Sequence, residues 1–211
     1  MTRRGRLIAF EGGEGAGKST QASRLAAAIG ADLTREPGGS WLGERVRQLL
    51  LDPEPGEAAG EIDPRAELML MLAARAQHVS EVIRPRLDAG RDVVVDRYSG
   101  STLAYQGYGR GLPLQEIRGA CDLATGCLWP DLTILLDVPV EVGTARRTSA
   151  GGEPDRIEAE RDGFHVRVRG GFLAEAAADA SSWVVIDGTL DPGDVERQVR
   201  VAVDHVLAAR S

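Results

Sequence analysis

A glycine-rich loop near the amino terminus constrains this chain more than any other feature. Residues 12–19 are GGEGAGKS, which fits the pattern G-x-x-x-x-G-K-[ST]. An apolar run at residues 7–10 precedes the loop, and a helical pattern from about residue 19 to 29 follows it. A strand, a glycine loop and a helix in this order form a cradle of backbone N–H groups that holds phosphates. The sequence therefore predicts a nucleotide-phosphate site at residues 12–19.

Each residue type in the loop has a chemical reason. Glycines leave room for phosphates and permit unusual dihedral angles, Lys18 can bring a positive charge to the β- and γ-phosphates, and Ser19 can offer a hydroxyl to Mg²⁺. The chain has one lysine against twenty-four arginines, and that lysine is Lys18. The residues expected to bind ATP are Gly12, Gly13, Glu14, Gly15, Ala16, Gly17, Lys18, Ser19 and Thr20.

The absence of asparagine excludes one class of nucleotide-binding protein. Regulatory GTPases read guanine with an N-K-x-D motif, and this chain has neither an asparagine nor a second lysine for it. A kinase or an ATPase remains open on the loop alone.

Composition restricts the binding partners and the cellular compartment that we expect for this protein. A net charge of −7 in 211 residues disfavours a general electrostatic grip on nucleic acid or anionic lipid. The apolar run at residues 7–10 is too short for a signal peptide or a membrane span, and Cys121 and Cys127 form no CxxC pair. We expect a single domain over residues 1–211, located in the cytoplasm, with no nucleic-acid or membrane partner.

Strand-like and helix-like segments alternate along the chain, which predicts an α/β fold with a parallel sheet of about five strands and helices on both faces. The expected strands are residues 7–10, 31–34, 92–96, 132–138 and 183–186. Further helices are expected at residues 41–51, 64–87, 114–125, 158–178 and 194–209, and a loop at 52–63.

Charged residues follow two of the expected strands. Arg97 comes directly after residues 92–96, at the carboxyl edge of the sheet where open α/β folds bind ligands, and an arginine there can hold a monophosphate. Asp96 and Asp137 each close an apolar strand, as an acid that orients Mg²⁺ would. The residues by themselves do not choose between the two, and the alternative for Arg97 is a salt bridge with Asp96 or a charge at the surface.

Several motifs together resemble one family. They are FEGGEGAGKSTQ at 10–21, REPGG at 35–39, DRY at 96–98, AYQG at 104–107, PDLT at 130–133 and DRIE at 155–158. Their order and spacing, from residue 7 to about 190, closely resemble bacterial thymidylate kinases. The resemblance implies the P-loop kinase fold, ATP- and Mg²⁺-dependent phosphorylation of dTMP to dTDP for dTTP synthesis, and a homodimer. It also favours Asp96 over Asp137 as the acid that works with the metal.

The resemblance assigns roles on the acceptor side of the reaction. Arg35 is implied for phosphate, Glu36 for metal or water, Arg75 for the thymine edge, and Ser101 with Thr102 for the rest of the base. Tyr105 would fill the place of a ribose 2′-hydroxyl and so favour deoxyribose. The implied substrate residues are Glu14, Arg35, Glu36, Pro37, Met71, Arg75, Arg97, Ser101, Thr102, Tyr105 and Gln106. The implied metal residues are Ser19, Asp96 and Glu36.

A mobile lid is expected at about residues 143–157, where small residues lie between arginines. Some relatives place the catalytic arginine in the phosphate loop, but here that position is Gly15. The charge that neutralises the transferring phosphoryl group must then come from the lid, as Arg147 or Arg156. The expected catalytic residues are Lys18, Asp96, Arg97, Arg147 and Arg156.

Two positions depart from the family pattern. Met71 stands where a phenylalanine usually covers thymine, and Phe172 where a tyrosine is common. Both changes bear on base affinity and turnover more than on the type of reaction. The alternatives are a kinase for another nucleoside monophosphate and a nucleotide-binding regulatory protein without catalysis. Intact Lys18, Asp96 and Arg97 disfavour the second.

Overall fold

The computed structural model describes residues 4–51, 62–149, 151 and 154–208. Its centre is a sheet of five parallel strands in the order β2-β3-β1-β4-β5. The strands are β1 (Leu7–Glu11), β2 (Asp32–Arg35), β3 (Val93–Asp96), β4 (Leu132–Asp137) and β5 (Trp183–Asp187). The predicted strands are confirmed, with ends that shift by at most one residue.

Helices connect the strands. They are α1 (Lys18–Ile29), α2 (Trp41–Leu51), α3 (Pro64–His78), α4 (Arg84–Asp88), α5 (Ser99–Thr102), α6 (Leu114–Thr125), α7 (Val140–Ser149), α8 (Asp162–Ala178) and α9 (Pro192–Ala208). Two π-helical segments, Val79–Ile83 and Leu103–Gly109, continue α3 and α5. None of the helices in the described ranges is long and apolar enough to cross a membrane.

Alternate side chains of the strands pack on opposite faces of the sheet. Ile8 and Phe10 of β1 pack with residues of α1 and α9 on one face. Leu7 and Ala9 of the same strand pack with Val79–Ile83 and α4 on the other. Because both faces are covered, all five residues of β1 are buried. The predicted doubly covered parallel sheet is confirmed.

The strand register brings functional residues to one edge of the sheet. Phe10 of β1 and Arg35 of β2 both pair with Asp96 of β3, so three strands end at the same level. The chain leaves β1 for the glycine loop and leaves β3 for Arg97 at this edge. The carboxyl edge of the sheet is therefore where the candidate site must lie.

The structure differs from the predicted elements in four places, one of which is the helix expected at 158–178, since it begins only at Asp162. The long helix expected at 64–87 is interrupted by the π-helical turn Val79–Ile83. Helical segments at 99–109 and at α7 were not predicted, so the first part of the expected lid at 143–157 is helical. Residues 150, 152 and 153 of that lid, and 52–61 of the expected loop, lie outside the described residues.

Candidate functional site

The glycine loop at residues 12–19 connects β1 to α1. Gly12, Gly15 and Gly17 all have positive φ angles, which other residues rarely adopt. A Cβ on Gly12 would lie 2.5 Å from the Leu136 carbonyl oxygen, and one on Gly15 would lie 2.2 Å from the Gly143 carbonyl oxygen. Glycine is therefore required at both positions, once for each close approach of another backbone.

Lys18 begins α1 and turns its side chain back over the loop. Its Nζ donates a hydrogen bond to the Gly13 carbonyl oxygen at 2.7 Å. Burial and the nearby Arg97 together lower the pKa of Lys18 to about 8, although Glu14 and Asp96 act in the opposite direction. The pKa of the Lys18 amine therefore lies close to neutral pH, and phosphate anions at the loop would favour its charged form.

Ser19 and Asp96 meet at the open edge of the loop. The Ser19 hydroxyl donates to Asp96 Oδ2 at 2.5 Å. The other oxygen, Asp96 Oδ1, is buried and has no hydrogen-bond partner within the described part of the chain. A hydroxyl and a carboxylate with a free oxygen are ligands that suit Mg²⁺. Groups of three or more His, Cys, Asp or Glu side chains able to hold a metal do not occur among the described residues.

Asp137, the second candidate acid, is already paired. Both of its oxygens accept hydrogen bonds from Arg169 of α8, at 2.7 and 2.8 Å. Asp96 is therefore the strand-end acid that faces the loop serine.

Arg97 lies between the phosphate loop and the helical segment 99–109. Its backbone has a φ of 69°, an uncommon conformation for a residue other than glycine. Its guanidinium donates to the Gly12 carbonyl, to Ser101 Oγ, to Glu14 Oε1 at 2.5 Å and to the Tyr105 hydroxyl. Four acceptors thus hold the positive charge in one orientation.

Glu14 and Tyr105 complete this arrangement. Although burial opposes ionisation of Glu14, the charges of Arg97 and Lys18 outweigh it and lower the Glu14 pKa to about 2. The Tyr105 hydroxyl donates to the same Glu14 oxygen at 2.7 Å, and the Arg97 guanidinium lies over the Tyr105 ring. Glu14 is therefore an ionised carboxylate that orients both neighbours.

Arg75 of α3 is buried and points to the same cavity. Its guanidinium donates to Glu36 Oε2 at 2.6 Å, to Thr102 Oγ1 at 2.8 Å and to the Tyr98 carbonyl oxygen at 3.0 Å. The opposing charge of Glu36 raises the pKa of Arg75 despite burial. Arg75 is held beside Thr102, the pairing that the predicted base site requires.

Glu36, for which a metal or water role is expected, lies between two side chains of α3. One carboxylate oxygen accepts from Arg75 and the other lies 2.9 Å from Nδ1 of the buried His78. Glu36 therefore orients Arg75, and the metal or water role expected for it stays a prediction.

One cavity collects the predicted acceptor residues. It opens beside Lys18, Ser19 and Asp96 at one end and extends toward Arg75 and Met71 at the other. The predicted substrate residues that line it are Glu14, Arg35, Glu36, Pro37, Met71, Arg75, Arg97, Ser101, Thr102, Tyr105 and Gln106. Arg35 lies at the rim, where it is half exposed and pairs with Glu44 of α2.

The two candidate lid arginines are in different situations. Arg147 of α7 donates to the Glu158 carbonyl oxygen at 3.2 Å. Arg156 donates to the Leu50 carbonyl oxygen at 2.8 Å and to Glu67 at 2.5 Å. Neither is among the described residues that line the cavity. Phe172, the other departure from the family pattern, is buried against the Tyr105 ring.

Sequence reasoning missed several residues of the site. Glu11 at the end of β1 is fully buried and accepts hydrogen bonds from the backbone of Tyr98 and from Ser101, and burial raises its pKa. Glu158 lines the cavity, where burial, Asp155 and Glu14 raise its pKa. The sequence signal for Glu11 is a charged residue at the end of an apolar strand. For Glu158 the sequence offers no signal beyond its place in the motif DRIE.

Fold and site together define a class. A parallel sheet with a glycine loop after β1, a loop lysine, and a serine facing a strand-end aspartate is a P-loop nucleotide-binding protein. Its phosphate loop opens into a pocket for a second ligand, as in a kinase that acts on a small acceptor.

The comparisons with known proteins name the family. A family model described as thymidylate kinase matches residues 10–199. The thymidylate kinase of Thermomicrobium roseum is 51% identical over 206 residues, covering 95% of each chain. That of Nitratidesulfovibrio vulgaris is 48% identical over 214 residues, covering 96% of this chain and 98% of its own. The chain belongs to the thymidylate kinase family.

Solved structures agree with this. The crystal structure of thymidylate kinase from Ehrlichia chaffeensis matches with a TM-score of 0.75 and 31% sequence identity, and covers 95% of this chain and 99% of its own. The resemblance seen in the motifs is therefore confirmed over nearly the whole chain.

Proposed function

We propose that this protein transfers the γ-phosphoryl group of ATP to dTMP, which yields dTDP and ADP, as a step in dTTP synthesis. One observation carries the proposal: the same cavity is lined by Lys18 and Ser19 of the phosphate loop and by the eleven predicted substrate residues, among them Arg97. Family membership supports the choice of dTMP as acceptor.

The donor end positions ATP. Backbone N–H groups of residues 12–19 and the amino end of α1 would hold its phosphates, and Lys18 would accompany the charge as it moves to the bridging oxygen. Mg²⁺, when bound by Ser19 and Asp96, supplies positive charge that neutralises the phosphate oxygens. The protein contributes no covalent nucleophile, because the acceptor phosphate itself attacks.

The acceptor end orients dTMP. Arg97 is set to bind the monophosphate, with Arg35 at the rim as a second cation. Arg75 and Thr102 would meet the polar edge of thymine while Met71 covers the ring, and Tyr105 fills the space that a 2′-hydroxyl would need. The donor and acceptor phosphates then face each other in line, and positioning provides most of the catalysis.

A lid arginine completes the charge balance. Arg156 is held by the Leu50 carbonyl oxygen of α2 and by Glu67, whereas Arg147 of α7 contacts Glu158. We assign the catalytic arginine to Arg147. We also propose that the chain acts as a single domain, as a homodimer, in the cytoplasm; light scattering of the purified protein tests the dimer.

The deciding experiment measures ADP release with ATP and Mg²⁺ against dTMP, dUMP, dCMP and GMP. We expect the highest kcat/KM with dTMP, and loss of turnover when EDTA removes the metal. A higher kcat/KM with another monophosphate would identify a kinase for that nucleotide instead, and ATP binding without transfer to any of them would identify a regulatory protein.

A further inference from the structure

A buried carboxylate that the proposed reaction does not use lies behind the acceptor cavity. Glu67, in the first turn of α3, has a side chain that is only 1% exposed. Its Oε1 accepts hydrogen bonds from Gln106 at 2.9 Å and Arg110 at 3.2 Å. Its Oε2 accepts from Arg110 at 3.1 Å and Arg156 at 2.5 Å. We call Glu67, Gln106, Arg110 and Arg156 the Glu67 cluster.

The Glu67 cluster joins parts of the chain that are distant in sequence. Gln106 belongs to the π-helical segment Leu103–Gly109, and Arg110 ends that segment. Arg156 belongs to the segment 154–160, where it also donates to the Leu50 carbonyl oxygen at the end of α2. Arg110 in turn pairs with Glu160 at 2.5 Å. Ion pairs thus tie the segment 154–160 to the core at residues 156 and 160, while Glu158 contacts Arg147 of α7 and Ile157 packs with Leu50 and Leu51.

The tied segment forms one wall of the cavity. Asp155, Ile157 and Glu158 line it, on either side of the Arg156 anchor. If Arg156 were released, the segment would keep the packing of Ile157 and the contact of Glu158 with Arg147 but would lose its ion pair with Glu67, which would loosen this wall. The position of this wall therefore depends on a contact that lies outside the cavity.

Charge holds the Arg156 side chain itself, whereas the adjacent Ile157 is buried in an apolar cluster that includes Leu50 and Leu51. Burial alone would raise the pKa of Glu67, but hydrogen bonds from Arg110, Gln106 and Arg156 outweigh it and lower the pKa, so the carboxylate is ionised at neutral pH. A buried ion pair that loses one partner leaves an uncompensated charge, which is strongly unfavourable. Removal of the Glu67 charge should consequently release Arg110 and Arg156 from the Glu67 carboxylate.

We propose that Glu67 is a positioning residue, which holds residues 154–160 as a wall of the acceptor cavity through Arg156 and Arg110. Its kinetic consequence rests on the function proposed above. Glu67 touches no reacting atom; it acts through Arg156, whose role is then that of an anchor and not of the catalytic arginine.

The test combines Glu67→Gln, Arg156→Gln and the double variant. Hydrogen exchange of a peptide that covers residues 154–161, measured without nucleotides, should become at least tenfold faster in each variant. With saturating ATP, kcat for dTMP should fall about tenfold in each single variant. The double variant should be less than twofold slower than the slower single one, because both substitutions break the same contact.

Glu175 of α8 offers a matched control. It is also a buried carboxylate, paired with Arg118 and Tyr108, and it lies outside the cavity. Glu175→Gln should lower the melting temperature as Glu67→Gln does, yet leave both the exchange of 154–161 and kcat unchanged. This comparison separates a positioning role from a general loss of stability.

The proposal is overturned if exchange of residues 154–161 in Glu67→Gln equals that of the unsubstituted protein, or rises as much in Glu175→Gln. Multiplicative losses of kcat in the double variant would also overturn it. Should Glu67→Gln fail to fold, Arg156→Gln decides alone, and unchanged exchange there rejects the anchor. Faster exchange in a protein that never phosphorylates dTMP would reject the proposed function and leave the anchor intact.

Discussion

At the scale of single residues, the site depends on charged side chains that are shielded from water and line one cavity. Lys18, Arg97 and Arg75 are nearly buried, and each is held by a carbonyl or carboxylate oxygen. A group fixed in this way needs little reorganisation when a phosphate arrives, which is how preorganised electrostatics lower a barrier. The consequences can be measured one side chain at a time.

Removing the loop lysine should abolish most of the turnover. We expect Lys18→Ala to lower kcat by about 100-fold or more, since deletion of one preorganised donor to a developing negative charge costs that much. The melting temperature should change little. Arg24→Ala, which removes an exposed cation of the same helix, is the control and should retain kcat; a Lys18→Ala enzyme with normal turnover would contradict the role of the lysine.

The titration of Lys18 gives a second prediction. Its pKa is lowered to about 8, so the charged form present below pH 8 is lost as the pH rises through that value. Since kcat/KM reports groups of the free enzyme, kcat/KM for ATP should decline above about pH 8. Bound phosphates favour the charged amine, so kcat should decline only at higher pH. Identical profiles for the two quantities would refute this assignment.

Arg97 should act on the acceptor more than on the donor. We expect Arg97→Ala to raise KM for dTMP at least tenfold and KM for ATP by less than threefold, because its guanidinium lies on the cavity side of the loop. Steady-state kinetics with each substrate varied in turn provide the measurement. Equal increases in the two KM values would mean that the acceptor phosphate lies elsewhere.

At the scale of elements, the phosphate loop is held by its contact with α7. The Gly15 backbone meets Gly143 of α7, and a Cβ on Gly143 would in turn lie 2.2 Å from the Glu14 carbonyl oxygen. The loop and α7 can approach this closely only because both contact residues lack side chains. The same contact leaves no room for an arginine at position 15.

Glycine substitutions in the loop should therefore differ sharply. Gly15→Ala must place its Cβ 2.2 Å from the Gly143 carbonyl oxygen at a φ of 68°, whereas a Cβ on Gly13 meets nothing within 4 Å. We expect Gly15→Ala to lower stability by at least about 1–2 kcal/mol, the left-handed penalty alone, and to weaken ATP binding. Gly13→Ala should be close to neutral in thermal unfolding. Equal melting temperatures for the two variants would contradict the packing of α7 on the loop.

At the scale of the whole molecule, the cavity is built from segments that are far apart in the sequence. The phosphate loop comes from residues 12–19, and α9 packs on the same face of the sheet as α1. The acceptor end draws on α3, on residues 96–107 and on 154–160. A ligand that joins these parts stabilises the folded state as a unit.

Thermal unfolding should report this directly. At 100 times its Kd a ligand adds about 2.7 kcal/mol to the free energy of unfolding, which for a chain of this size is a shift of about 5–10 °C. We expect such a shift with dTMP and a much smaller one with equimolar GMP, measured by differential scanning calorimetry. Equal shifts with both would show that the cavity does not select thymine.

The sequence predicted the parts of the fold that depend on local patterns. Buried strands such as 93–96 are visible as β-branched apolar runs, and α3 begins at Pro64 behind the capping Asp63, whose side chain accepts from Arg65. The helical segment 99–109 and α7 were missed, because glycines, a serine and threonines at these positions favour turns when considered alone. Tertiary packing overrides that preference, since most of 99–109 is buried.

The sequence by itself determined the phosphate loop and the family, because the motifs that carry both depend on residue types at short spacing. The tertiary structure added the physical difference between Asp96 and Asp137, which is that Asp96 accepts from Ser19 whereas Asp137 is paired with Arg169. It likewise turned Glu36 toward Arg75 and His78, and brought Glu67 to Arg156, 89 positions away. Such pairings arise when buried charges must find opposite charges across the fold, and no local pattern encodes which distant residue will be there.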